Sequence, residues 1–391
     1  MNDIAGPKDP SRNMWEMSLG EFLHEAAGRN PSKIFVDISK QSITYGGLLQ
    51  RSLKTAELFR TLGVGHGDRV CLFMPNCPEF LYCWFGLSIL GAIGVPINTA
   101  YKRDEMAYII NDSQAVALVA HESLMPVARV ASGLSPGLQH RLTIQETEER
   151  TSTSNDRQSS DWLNFQDAVG TSSPIEGRPM VSPADISMLG YTSGTTGNPK
   201  GVQVSHQMYV AAGQGFAHWT QATADDRFFT CLPFYHANIQ YYSTMGALAS
   251  GATLIIADRF SASRFWSQVK AAQATVVNFI GMMMPVLAKQ PRSASDRDKH
   301  VRLFYGTPAF SPEFLNEFQE RFATDIIVGF TGETDEQFEQ TRLAMHEFRF
   351  NMAYIAAYSP RPGAASSRWD DDVPSVAVSY THLTLPTILL V

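Results

Sequence analysis

The segment from Tyr191 to Val202 reads Tyr-Thr-Ser-Gly-Thr-Thr-Gly-Asn-Pro-Lys-Gly-Val, and its residue types and spacing suit one kind of chemistry. Gly194, Gly197 and Gly201 let the backbone approach an anion closely. The hydroxyls of Thr192, Ser193, Thr195 and Thr196, with the amide N–H groups around them, supply donors, and Lys200 supplies positive charge. A polyphosphate needs that combination, because its oxygens accept many hydrogen bonds and carry negative charge. The segment is not the helix-opening phosphate loop G-x-x-x-x-G-K-[ST], since Gly201 and not a hydroxyl residue follows Lys200. The residues after it, GVQVSH, alternate apolar and polar, which predicts a loop joining two strands. A hydroxyl-rich turn without ligand is the competing reading for a generic sequence of this composition; the full string favours the phosphate site.

The elements around this loop read as α/β. Ser18 with Glu21 three residues on predicts a capped amphipathic helix carrying Phe22, Leu23 and Ala26. IFVDI and SITY predict a hairpin, and 45–62 predicts a helix stopped by Gly63. After the apolar run RVCLFM the pattern predicts helix 78–90, strand 92–98, helix 104–111 and strand 115–120. Further on come the strand ATLIIAD, a helix capped by Ser261, the strands ATVVNFI and VRLFYG, and a helix opened by Ser311-Pro312-Glu313. Uninterrupted aliphatic strands alternating with amphipathic helices imply mostly parallel sheets covered on both faces. The polar stretch 145–161 is predicted to be an exposed loop or linker.

The chain has 391 residues, of which 44% are hydrophobic and 18% charged, with a formal net charge of −7, enough for one large or two ordinary domains. That acidic balance and the lack of basic runs argue against a nucleic-acid surface. Cys71, Cys77, Cys83 and Cys231 form no metal-ligand spacing and are expected to be buried, reduced thiols of a cytoplasmic protein. No signal peptide is expected from the charged N-terminus. The charge-free stretch 80–97 approaches membrane-spanning length, but Gly86, Gly91, Gly94 and Pro96 predict a buried helix followed by a buried strand, with no transmembrane segment.

YTSGTTGNPKGV resembles the phosphate-binding signature of the adenylate-forming (AMP-binding) superfamily, which includes acyl-CoA synthetases, luciferases and peptide-synthetase adenylation domains. LPFYHAN (232–238) is similar to the motif that gates that family's acyl site, and YGTPAFSPEF (305–314) to its adenine-lining segment. NCPEFLYCWFGLSILGAIGVPIN, FSASRFWSQVKAAQATVV and MMMPVLAKQPRSASDRDKH look most like the crotonobetaine/carnitine-CoA ligase branch. The resemblance spans about 14–323 and implies a large ATP-binding domain of stacked, mostly parallel sheets flanked by helices, occupying 1–323.

The implied reaction is ATP-dependent acid–thiol ligation: a carboxylate is adenylated, then transferred to coenzyme A. ATP, Mg²⁺ and coenzyme A are the implied cofactors and co-substrates, and the implied partner is a small carboxylic acid. By this resemblance Thr192, Ser193, Gly194, Thr195, Thr196, Gly197 and Lys200 hold the phosphates, with Thr192 also on the Mg²⁺ side. Lys200 and His236 are the implied catalytic residues, His236 bordering the acyl site. Gly306, Thr307 and Pro308 meet adenine and acyl group. Peptide-synthetase domains carry an acid after the 232–236 motif, whereas Ala237, Asn238 and Ile239 here imply a substrate without an α-amine.

Beyond Ala323 the pattern departs from the family. Its Y-G-x-T-E is replaced by Gly329-Phe330-Thr331-Gly332-Glu333, so that Phe330 is the candidate adenine-stacking residue and Glu333 the candidate metal ligand, one residue out of spacing. The ribose-binding T-G-D motif and the C-terminal lid domain are expected to be missing. Residues 324–374, with DIIVGFTGET, RFNMAY and YSPRPG, resemble a radical-SAM tRNA methylthiotransferase fragment without its cluster cysteines. Residues 378–387 resemble adapter-derived sequence, and 375–391 is expected to be a disordered or artefactual tail. The function expected is therefore that of an acid–thiol ligase fragment impaired by truncation, with a carnitine- or crotonobetaine-like or other short or medium acyl substrate; the alternative is a non-catalytic nucleotide-binding remnant of a chimeric gene.

Overall fold

A computed structural model describes residues 16–146, 161–177, 180–192, 198–297, 300–307 and 310–328. The first half contains α1 (Leu19–Arg29), β1 (Ile34–Ile38), β2 (Gln41–Thr44), α2 (Tyr45–Thr61), β3 (Arg69–Phe73), α3 (Pro78–Leu90), β4 (Ile93–Pro96), α4 (Arg103–Asp112), β5 (Ala117–His121), α5 (Met125–Gly133), β6 (His140–Ile144), β7 (Leu163–Asn164) and α6 (Phe165–Thr171). The second contains β8 (Ile186–Thr192), β9 (Lys200–Ser205), α7 (His206–Trp219), β10 (Arg227–Thr230), α8 (Met245–Ser250), β11 (Thr253–Ile256), α9 (Phe265–Ala271), β12 (Val276–Ile280), α10 (Met283–Ala288), β13 (Leu303–Thr307), α11 (Pro312–Phe322) and β14 (Asp325–Val328).

The local chemistry read from the sequence sets most helix starts. Ser18 and Glu21 form the reciprocal capping box of α1, and Ser311 caps α11 with Pro312 in its first turn. Ser261 does not cap a helix. α9 begins after Arg264, and Ser261 closes a preceding turn by accepting the Arg264 N–H at its carbonyl. α3 is apolar on every side and buried except at Glu79, as a helix enclosed by protein must be. It ends at Gly91, whose φ of 77° needs a residue without a side chain. The apolar stretch therefore resolves into α3 and β4, and no helix among the described residues is long and apolar enough to cross a membrane.

Two seven-stranded sheets carry the fold, ordered β14-β13-β12-β10-β11-β1-β2 and β7-β6-β5-β3-β4-β8-β9. Among the described residues all pairings are parallel except the two edge hairpins β1–β2 and β8–β9. The orders are the same: β10 to β14 match β3 to β7, and each sheet is completed by a parallel strand with an antiparallel edge. The repeat is one of topology, and no repeated sequence accompanies it. The period of two along each strand divides the cores. Val70 and Leu72 of β3 join the large core that also contains Val276 of the other sheet, whereas Cys71 and Phe73 face a second core with Met106 and Ile110 of α4. α1, α2, α3, α7 and α8 pack on one another within the shared core. All four cysteines are buried thiols, and burial pushes Cys71 up to about 12.

In both sheets the connections leaving two neighbouring strands run in opposite directions: β10 leads one way to β11 and β12 the other way to β13, and β3 leads one way to β4 and β5 the other way to β6. Such switch points open a crevice at the carboxyl ends of the strands, where α/β proteins place ligands.

Candidate functional site

Every motif singled out in the sequence leaves a carboxyl strand end: the hydroxyl-rich segment follows β8, LPFYHAN follows β10, TPAF follows β13, and the segment from 329 follows β14. Thr192 and Lys200 are cross-strand partners at the mouth of the β8–β9 hairpin, both exposed. Ser193, Gly194, Thr195, Thr196 and Gly197 lie outside the described residues. One rung further in, Tyr191 pairs with Gly201. A Cβ at 201 would stand 2.9 Å from Leu189 Cδ1 and 3.3 Å from Tyr191 Cζ, so the glycine makes room for the ring lying across it. The Tyr191 hydroxyl donates to Asp112 Oδ2 at 2.6 Å, and burial together with this carboxylate raises its pKa. Asp112 Oδ1 also accepts from Tyr108 at 3.3 Å.

After β10 the chain makes a turn closed by the His236 N–H donating to Pro233 O at 3.0 Å. His236 is at the surface beside Tyr235, ring centroids 4.7 Å apart, and partial desolvation holds its pKa below the ordinary imidazole value. The turn is fastened on both sides. Asn76, at the carboxyl end of β3 in the other sheet, donates to Leu232 O and accepts from Phe234 N–H, both at 2.9 Å. Beyond it, Asn278 of β12 donates to Asn238 Oδ1 at 2.7 Å. The predicted uncharged stretch 237–239 thus contains an amide engaged with a second amide across the switch point. A π-helical turn, Ile239–Thr244, follows directly, and its Ser243 hydrogen bonds to the Tyr305 hydroxyl at 2.6 Å.

Gly306 is buried opposite Phe279, where a Cβ would come within 1.9 Å of Phe279 O. Its smallness is explained by strand packing, whatever ligand it meets. Thr307 is exposed at the end of β13, and its carbonyl accepts from Gly281 N–H at 2.8 Å. Pro308, Phe330 and Glu333 lie outside the described residues. No three His, Cys, Asp or Glu side chains converge as a metal cage among the described residues. Thr192 is thus the one described member of the predicted metal pair, and a lone hydroxyl fits a hard cation that takes most of its oxygens from phosphate.

Sequence reading missed Asn76, Asp112 and Asn278, and also Gln240, whose Nε2 donates to Phe234 O at 2.5 Å. Asn76 carried a usable signal: it follows a strand of parallel type and is flanked by Pro75 and Pro78, a loop position at a carboxyl strand end. The others have no local signature.

The chain belongs to the AMP-binding enzyme family, whose model matches residues 23–334. It is 34% identical over 353 residues to the crotonobetaine/carnitine–CoA ligase of Salmonella paratyphi A, covering 85% of this chain and 64% of that protein's length. Its fold resembles that of an anthranilate CoA ligase solved with anthranoyl-AMP, with a TM-score of 0.72, 22% identity, and coverage of 82% of this chain and 61% of that one. A benzoate CoA ligase from Burkholderia xenovorans gives a TM-score of 0.70 at 20% identity, covering 81% and 61%. The chain thus spans less than two thirds of the length of these relatives.

Proposed function

We propose that this chain activates a carboxylic acid with ATP and passes the acyl group to coenzyme A. The observation that carries this reading is the pairing of Thr192 with Lys200 at the mouth of the β8–β9 hairpin. That pairing gathers the ends of the hydroxyl- and glycine-rich segment at a carboxyl strand edge. A carboxylate oxygen attacks the α-phosphorus of ATP, the bond to the β-phosphate breaks, and pyrophosphate leaves. The thiol sulfur of coenzyme A then attacks the acyl carbon, and AMP leaves.

The protein's part is to place reactants and offset phosphate charge, with no covalent nucleophile of its own. Lys200 and the hydroxyls of 192–196 hold the β- and γ-phosphates. Thr192 and Glu333 would hold Mg²⁺, which supplies further charge neutralisation when bound. His236 borders the acid, and Gly306, Thr307, Pro308 and Phe330 border the adenylate. The named relative and the uncharged Ala237–Ile239 stretch support a carnitine- or crotonobetaine-like acid, or another short or medium acyl group without an α-amine.

Trapping of an acyl hydroxamate with Mg-ATP and a panel of such acids tests the reading. Nucleotide binding with no hydroxamate from any acid would reduce the chain to a nucleotide-binding module. We further read residues 324–374 as foreign to this unit and 375–391 as an unrelated tail, although the family match reaches 334. Recovery of the coding region for 300–350 as one continuous product from source DNA would remove that part of the reading.

A further inference from the structure

We infer that Asn76 is a positioning residue for the proposed reaction: from the opposite sheet, it fixes the turn that presents His236. The inference rests on the functional reading above for its consequence, but its geometry stands alone.

All four polar backbone atoms of Leu232 and Phe234 are taken by side chains from outside the segment, Leu232 N–H donating to Thr230 Oγ1 at 3.1 Å. Asn76 Nδ2 donates to Leu232 O and Asn76 Oδ1 accepts from Phe234 N–H, each at 2.9 Å. Phe234 O accepts from Gln240 Nε2 at 2.5 Å, and Gln240 Oε1 in turn accepts from the buried Tyr209 hydroxyl at 2.5 Å. The carboxamide of Asn76 therefore does what the next rung of a β-ladder would do, reading a carbonyl at one residue and an N–H two residues on. Phe234 is also held by its ring, which stacks on Phe80 of α3 with centroids 4.7 Å apart and planes 4° from parallel.

Only a carboxamide fits both bonds. An aspartate would keep the acceptor for Phe234 N–H but set an anion against Leu232 O, and alanine would leave both backbone groups without this partner. The frame behind Asn76 is stiff, since it sits between β3 and α3, and α3 is buried on nearly all sides. Two residues after Phe234 comes His236, whose N–H closes the turn onto Pro233 O at 3.0 Å. The imidazole is thus referenced to the β3 sheet through Asn76 and Phe80, although it belongs to the β10 sheet. The β8–β9 hairpin is anchored separately, through Tyr191 and Asp112. Loosening the turn should therefore weaken handling of the acid and spare the nucleotide, because a displacement of about 1 Å at a reacting group is costly.

The test uses the full 391-residue chain with Asn76→Ala and Asn76→Asp. Amide hydrogen exchange is read at Phe234, with Val277 of β12 as the reference for global stability. The ¹⁵N-histidine resonances are recorded as well, that of His236 being assigned by its loss in His236→Gln. In Asn76→Ala, exchange at Phe234 should rise about tenfold or more, the His236 resonance should move, and Val277 should be unchanged. Asn76→Asp should retain most of the protection at Phe234. In hydroxamate assays, KM for the acid should rise about tenfold in Asn76→Ala, with KM for ATP within about twofold of wild type. Unaltered exchange at Phe234 with an unmoved His236 resonance would overturn the proposal. So would a parallel rise in KM for acid and ATP, or equal acceleration at Val277, since either marks general destabilisation. A wild-type chain that forms no hydroxamate sinks the reaction reading instead, and the proposal then stands or falls on the exchange and resonance data.

Discussion

Thr192 and Lys200 face one another across the hairpin as its last paired residues, so the segment between them starts and ends at one place on the sheet edge. A hydroxyl and an ammonium thereby stand side by side, as the proposed phosphate site requires. Lys200→Ala should weaken Mg-ATP binding by about tenfold to a hundredfold, the range for loss of a charge-assisted contact. Thr192→Ala should have a smaller effect in the same direction. Titration calorimetry with Mg-ATP reads both, and unchanged affinity in the two variants would dissociate the hairpin from phosphate binding.

Tyr191 and Gly201, the next rung, predict a second effect. Gly201→Ala should displace the tyrosine ring, since the added methyl meets Leu189 and Tyr191 side-chain atoms at 2.9 and 3.3 Å. Both neighbours are side chains, so the fold should survive at a cost of about 1–2 kcal/mol. Tyr191→Phe removes only the bond to Asp112 and should cost about 1 kcal/mol. Urea denaturation gives both values, and the prediction fails if Gly201→Ala is as stable as wild type.

His206 makes stability depend on pH. It is fully buried, its Nδ1 accepts from Leu19 N–H at 3.2 Å, and burial holds its pKa down to about 4. The unfolded chain, with an imidazole near the ordinary value of about 6.5, binds the extra proton first as pH falls. The contribution is therefore complete above about pH 6.5 and is lost progressively down to about pH 4, by up to ~3 kcal/mol. His206→Gln should be less stable at neutral pH yet show a shallower decline over that window. Parallel declines for wild type and variant in urea midpoint against pH would show that His206 is not the group responsible.

Gly306→Ala should be much more damaging than Gly201→Ala. The new Cβ would lie 1.9 Å from a backbone oxygen, Phe279 O, and a strand cannot rotate aside as a side chain can. The β12–β13 ladder would have to open, at a cost of at least about 3 kcal/mol. A soluble, well-folded variant with near-native urea midpoint would show that the two strands separate more easily than their register implies.

What the sequence determined by itself lies in short windows. The caps Ser18 and Ser311, the stop at Gly91, the strand runs 69–74 and 274–280, and the joining of two strands across 193–199 were legible, because hydrogen bonds within a few residues and periods of 2 and 3.6 produce them. Ser261 misled: a good capping residue closed a turn instead, and α9 began beyond it. Tertiary structure alone decided that β1 would lie parallel to β11, with Val36 beside Leu254, and that both sheets would repeat one strand order. It also decided that Asn76 would reach across to Leu232 and Phe234, and Asp112 to Tyr191. Those pairings join residues far apart in the chain, and which partners meet depends on how whole layers pack, a quantity no local pattern contains.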